Sequence, residues 1–324
     1  MSNAQPTDHD DDRDSSDEDD SRVPRLSISE TQDLCNITYS REETIAAFRS
    51  YYEFLSTMYL DPAFVRTPPD GGVWPGMTVE NMRNFGKTDE VVERAARPPA
   101  LHTTSSPPTS GWCVGKHECL DTAADKRTTA GAMVELKDWA SIAERLPLSD
   151  EDAEIILTES QGSYRQIPSH VVGLTHNRDA EMFLDTHLGL IYFPGGSCTP
   201  GPTRIAQNAD VQFPPIADYA ADYAEEGDVE WRDAGTGLRC AWAIPDFFEM
   251  LKFCFRELNY IPLNRIQVVE AFDRGPDDEE EQEMDAIRTI FLEHGWPDLN
   301  RYEKDKCMDA IERGMDEFDQ RYRV

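Results

Sequence analysis

Apolar side chains recur along this chain with two different periods, and the changes of period mark out its elements. Between Glu42 and Tyr59, the residues Ile45, Phe48, Tyr52, Leu55 and Tyr59 fall three and four apart, which lines one face of a helix. Ser40, with Glu43 three residues on, has the signature of a capping box that starts this helix, and Asp61-Pro62 stops it. Thr78 and Thr88 predict the caps of two short helices, 79–85 and 89–96. Trp74, in the turn-rich Thr67 to Gly76 stretch, reads as a lid on the core. Leu136, Trp139, Ala140, Ala143 and Leu146 restore the helical spacing before Pro147.

The period then shortens. Ile155-Ile156-Leu157, Val171-Val172-Gly173-Leu174, Glu181-Met182-Phe183-Leu184 and Leu188 to Phe193 are short apolar runs, the last three separated by Asn177-Arg178-Asp179 and Asp185-Thr186-His187. Strands joined by turns this brief run antiparallel, because a parallel pair needs a crossover of about a dozen residues or more. The prediction is a meander. A Pro/Gly-rich loop, Pro194 to Pro215, and an acidic stretch, Asp218 to Glu230, lead to Ile244-Pro245-Asp246-Phe247-Phe248-Glu249-Met250-Leu251. Pro245 suits a first helical turn, where its missing N–H is harmless. Phe247, Phe248, Leu251, Phe255 and Leu258 give that helix a broad apolar face for packing on the meander.

After residue 258 helical spacing returns in Met284, Ile287, Ile290 and Phe291, and again in Cys307, Ala310, Ile311, Gly314, Met315 and Phe318, with Gly295 closing the turn between them. The run Asp277 to Asp285 holds seven acids in nine residues and sits at the start of that pair, where the helix dipole favours negative charge. The fold class that follows is α+β: an antiparallel β-meander sheet flanked by helices. Three parts are expected: a disordered acidic tail over 1–39, an α+β domain over 40–258 with a low-complexity insertion near 97–130, and an all-helical extension over 259–324.

Charge sharpens the ends of this picture. The formal net charge of −32 comes from 63 acids against 31 bases, and the first 22 residues hold nine acids and two arginines. So polar and self-repelling a tail does not bury enough apolar surface to offset the entropy of ordering, about 1–2 kcal/mol per residue. Within it, Ser15 and Ser16 each have an acid three residues on, a pattern that acid-directed kinases accept. Most of the acidity lies on the body. Such a surface repels nucleic-acid phosphate and anionic lipid, and it suits a protein partner with a basic surface. No apolar run reaches the roughly 18 residues that a membrane span needs, and the N-terminus lacks the basic start of a secretory signal. Seven cysteines without paired short spacings read as reduced thiols. Together these predict a cytoplasmic or nuclear protein.

The order of motifs resembles the SUKH superfamily, found in bacterial toxin-immunity proteins and fungal regulators of cell-wall synthesis. Its carriers here are Tyr51-Tyr52-Glu53-Phe54-Leu55, Gly71-Gly72, Ile167-Pro168, Gly173, Leu184-Asp185-Thr186, Gly189-Leu190-Ile191-Tyr192 and Ile244 to Leu251, spanning roughly 41–258. The segments Trp74-Pro75-Gly76 and Gly86-Lys87-Thr88-Asp89 look similar to proteins of filamentous fungi. The resemblance implies a non-enzymatic protein–protein interaction or regulatory domain with no cofactor.

Three other chemistries are visible in the residues. His170, His176 and His187 with Asp185 lie on or beside the meander, and three imidazoles with a carboxylate suit a metal-dependent hydrolase if they converge. Cys113, His117 and Cys119 supply three zinc-type ligands, one short of a structural site and at an unusual spacing. Gly195-Gly196-Ser197 lacks the full nucleophile-elbow pattern, and Gly86-Lys87-Thr88 lacks the upstream glycine of a phosphate loop. A different class of function, an acidic chaperone for basic proteins such as histones, is suggested by the tail, by Asp218 to Glu230 and by Asp277 to Asp285.

Overall fold

A computed structural model of the chain describes residues 26–68, 74, 76–81, 85–86, 89, 100–101, 145–153, 168–174, 182–192, 241–265, 268–270 and 279–322. Among these, the fold is α+β, with a four-stranded antiparallel sheet between helices.

Order begins earlier than the tail composition implies. Helix α1 spans Ile28–Cys35, and the expectation of disorder through residue 39 is corrected for residues 26–39. The cause is local. Ser27 and Glu30 form a complete capping box, in which the Ser27 hydroxyl accepts from the Glu30 N–H and the Glu30 carboxylate accepts from the Ser27 N–H. Asn36 ends the helix in the left-handed conformation, to which a short amide side chain is suited, and Ile37 behind it is buried. Ser15 and Ser16 lie outside the described residues.

Helix α2 spans Arg41–Met58, with the Ser40 hydroxyl accepting from the Glu43 N–H at 3.3 Å. Its buried face is wider than the periodicity predicts, taking in Thr44, Phe48, Tyr51, Tyr52, Phe54, Leu55 and Met58. A 3-10 turn at Pro62–Phe64 leads into β1 (Val65–Arg66), which pairs antiparallel with β2 (Ala100–Leu101) at the edge of the segment read as a low-complexity insertion. Trp74 is buried, with the Arg66 guanidinium 5.6 Å from its ring centroid. Thr78 accepts from the Asn81 N–H as a cap would, but residues 79–81 form a turn. The rest of the two predicted short helices lies mostly outside the described residues, as do the predicted helix over 136–146, apart from its end, and the strand at 155–157.

The main sheet follows chain order: β3 (Val171–Gly173), β4 (Phe183–Asp185), β5 (Leu190–Tyr192) and β6 (Ala241–Ala243), each antiparallel to the next. Its register explains both of its faces. The row Val172, Leu184, Ile191, Trp242 points one way, and the rows on either side, Val171–Asp185–Leu190–Ala243 and Gly173–Phe183–Tyr192–Ala241, point the other, as strand alternation requires.

The first face lies under α2 and α3, the latter spanning Ile244–Arg256. Phe247, Phe248, Leu251 and Phe255 are buried there together with Leu258 just beyond the helix. Phe248 meets Phe48 at 4.6 Å and Tyr51 at 5.3 Å, and Phe255 stacks on Tyr59 at 5.9 Å, contacts worth about 0.5–1.5 kcal/mol each beyond area burial. The second face carries a smaller cluster of Val171, Phe183, Leu188, Leu190, Tyr192 and Ala241, covered by Ile37 and by Ile28 and Cys35 of α1.

The segment after α3 opens with a hairpin, not a helix. β7 (Tyr260–Pro262) pairs with β8 (Val268–Glu270), which corrects the all-helical reading of 259–324. Helices α4 (Glu279–Glu293) and α5 (Lys304–Tyr322) follow. They share the large core: Met284, Ile287, Phe291, Trp296, Cys307, Met308 and Ile311 belong to the same buried cluster as α2 and α3. Three polar contacts tie the join. The Trp296 indole donates to Arg256 O at 3.0 Å, the Tyr302 hydroxyl to Met58 O at 2.6 Å, and the Lys304 ammonium to Ser56 O and Leu60 O at 2.7 and 2.6 Å. Lys304 thereby supplies a cation to the carbonyl end of α2, where the helix dipole favours one.

Candidate functional site: the β4–β5 turn and its N-terminal strap

Two imidazoles and a buried carboxylate come together at the β4–β5 turn. The β4–β5 connection, Thr186 to Gly189, begins at Asp185, whose carboxylate oxygen Oδ1 accepts from the N–H groups of His187 at 2.8 Å and Leu188 at 3.0 Å. This is the local bonding that makes aspartate a turn former. The Gly189 N–H closes the turn on Asp185 O at 3.0 Å. Thr186 reaches across to the segment before β3, where its N–H and its hydroxyl both donate to His170 O, at 3.1 and 2.7 Å.

These bonds bring His170 beside His187. The two rings are stacked, 3.9 Å between centroids and 5° from parallel. Nε2 of His170 lies 4.0 Å from Oδ2 of Asp185. Asp185 and His170 are buried, His187 is partly exposed, and Nδ1 of His187 is enclosed without a hydrogen-bond partner among the described residues.

The N-terminal segment lies over this turn. Gln32 of α1 donates from Nε2 to His187 O at 2.9 Å, and Gly189, at φ +80°, passes so close beneath the strap that an added Cβ would sit 2.6 Å from Thr38 O. Glycine is required there twice over, by conformation and by space. On α1 the stripe toward the sheet is Ile28, Thr31 and Cys35, and Thr31 is fully buried with its hydroxyl unpartnered among the described residues. Burial also pushes the Cys35 thiol above its usual range.

Of the sequence-predicted set, the structure brings together His170, Asp185 and His187, and His176 lies outside the described residues. Stacked rings hold their in-plane nitrogen lone pairs in two separate parallel planes, so the pair does not converge on one ion as a tetrahedral or octahedral site requires. Among the described residues no group of three or more His, Cys, Asp or Glu side chains is arranged to hold a metal. The Thr186 hydroxyl donates to a backbone carbonyl rather than to a base, so it is not set up as a nucleophile. Cys113, His117, Cys119 and Gly195-Gly196-Ser197 lie outside the described residues, as do Lys87 and Thr88, while Gly86 adopts φ +61° in a turn. Sequence reasoning missed Gln32, Thr31 and Thr38. The signal was present in the Ser27–Glu30 capping box followed by Ile28, Thr31 and Cys35 at spacings of three and four.

A comparison of the chain with protein-family models, characterised proteins and solved structures returns no significant match.

Proposed function

We propose that this chain is a non-enzymatic interaction protein of the SUKH-like type, which binds a protein partner through an acidic outer surface carried on the α+β scaffold. The observation that supports it most is how the chemically capable side chains are used. Asp185, Thr186 and the carbonyls of His170 and His187 are engaged in holding a turn and a strap, in an arrangement that serves architecture rather than turnover. The exposed positions of the helices also present carboxylates, among them Glu43 and Glu53 on α2, Glu293 on α4 and Glu312 on α5, while Glu42, Asp285, Asp305 and Asp309 pair with neighbouring arginines. Such a surface selects a basic partner and speeds encounter with it. No helix among the described residues is long and apolar enough to cross a membrane, and seven cysteines without paired short spacings support a cytoplasmic or nuclear chain.

The same carboxylates favour a second reading, an acidic chaperone for basic proteins such as histones. Affinity purification with the full chain, followed by binding measurements at rising salt, separates the two. A specific partner is selected over unrelated basic proteins at equal salt, even as its contact with the acidic surface weakens with rising salt. A chaperone binds many basic proteins alike and releases them as the salt screens the contact. Recovery of no partner, together with turnover of a small substrate by the purified chain, overturns both.

A further inference from the structure

We propose that α1 is a built-in placeholder on the second face of the meander sheet, and that this face seats a basic amphipathic helix of a partner protein, which docks by displacing α1. The proposal rests on the partner-binding reading and names the contact that the partner makes.

The face itself is made for a helix. Val171, Phe183, Leu188, Leu190, Tyr192 and Ala241 form one apolar cluster, and among the described residues its cover is Ile37 and the inward stripe of α1. Eight residues are too few to hold a helix in water, so α1 keeps its shape because this face accepts a helix. Ile28, Thr31 and Cys35 stand at the i, i+3 and i+7 positions through which a helix anchors in an apolar groove.

As an occupant of that seat α1 has two defects. Its middle anchor, Thr31, is fully buried with a hydroxyl unpartnered among the described residues, so docking takes that hydroxyl out of water without replacing the lost hydrogen bond. Its charge is also of the wrong sign: the outward residues include Glu30 and Asp33, no basic residue lies within the helix, and the chain it docks on has a net charge of −32. A partner helix with an apolar middle anchor and basic outward positions has neither defect, and charge complementarity draws it to the seat. The strap is also built to lift. The hydrogen bond from α1 to the turn is that of Gln32 with His187 O, whereas the close approach of Gly189 is to Thr38, beyond the end of the helix. Helix α1 can therefore leave by turning at Asn36 and Ile37 while Thr38 and the Ser40 cap of α2 keep their places.

The test uses the full chain and a synthetic peptide of residues 26–37 carrying Ser29→Lys, Thr31→Val and Asp33→Lys, which keeps the capping box and corrects both defects. Only chains with α1 lifted accept the peptide, so its apparent affinity should fall as α1 is seated more firmly. Relative to the native chain, Ser27→Ala should bind the peptide about fivefold more tightly and Thr31→Val about fivefold more weakly. Gln32→Ala, which loosens α1 without touching its cap, should shift the affinity in the same direction as Ser27→Ala. Bound peptide should also speed exchange of the chain's own amides 28–37 while those of α2 stay protected. No binding to the Ser27→Ala chain at about millimolar peptide overturns the proposal. Equal affinity for all the chains, with amides 28–37 unchanged, overturns it too, but leaves the partner-binding reading standing, because the basic peptide is then held elsewhere on the acidic surface.

Discussion

The two faces of the meander sheet are built to different standards. Under α2 and α3, the Trp242 row meets a continuous layer of aromatic rings, joined further out by Phe291 and Trp296 of the C-terminal segment. On the α1 side the cover is Ile37 and one eight-residue helix with a three-residue stripe, one member of which is a threonine whose hydroxyl is unanswered among the described residues. An isolated helix this short is marginal in water, so α1 persists through its cap and its docking rather than through its own propensity. The thick face carries stability, and the thin face is where the molecule can change at small expense.

The widest gap between the faces should appear on cutting into the thick one. Phe255→Ala removes the ring that touches Tyr51, Phe54, Tyr59 and Tyr260, and the expected loss is about 3–5 kcal/mol in chemical denaturation. A loss below about 1 kcal/mol would mean that the aromatic layer is not packed as described. Lys304→Met takes the ammonium from the carbonyls of Ser56 and Leu60, and about 1.5–3 kcal/mol should go with it, seen as a lower denaturation midpoint with an unchanged slope.

On the thin face the effects are smaller and one has the opposite sign. Thr31→Val replaces a buried hydroxyl, unpartnered among the described residues, with a methyl of similar shape and should strengthen α1 docking by about 1 kcal/mol, read as slower exchange of amides 28–37. Ser27→Ala removes half of the capping box and should weaken the same amides by about 1 kcal/mol while leaving the global midpoint nearly unmoved. If Ser27→Ala lowers the global midpoint as Phe255→Ala does, the two faces unfold as one unit and the contrast fails.

Thiol reactivity offers a further check. Cys307 is fully buried in the large core, and its thiol is pushed up to about 11, chiefly by that burial. Cys35, at the thin face, is only partly covered. Alkylation of the native chain at pH 8 should therefore modify Cys35 well before Cys307, as mass spectrometry of the digested product would show.

The thick face was legible in the sequence and the thin one was not, for physical reasons. Phe48, Tyr52 and Leu55, like Phe247, Phe248, Leu251 and Phe255, sit in helices long enough for the 3.6-residue period to repeat several times. Strands β4 and β5 show because the Asp185-Thr186-His187 turn stands between two apolar runs. Strand β6 is three residues that run straight into α3, too short for any alternation to register, and β7 ends in a proline that argues against a strand from sequence alone. Helix α1 was masked by the acidity of the segment before it, although its capping box was in plain view. At the site, His170, Asp185 and His187 could be singled out as residue types, but their stacking depends on the pairing of Val171 with Asp185, a register that no local pattern encodes.

The grip of Lys304 and Tyr302 on the end of α2 joins residues 244 to 248 positions apart. During synthesis, the ring-lined side of α2 stays bare until α3 emerges, and its last carbonyls stay bare longer, until Tyr302 and Lys304 follow. The flank of α2 is thus sealed first and its end last, and the sealing of that end has to wait for a segment far along the chain.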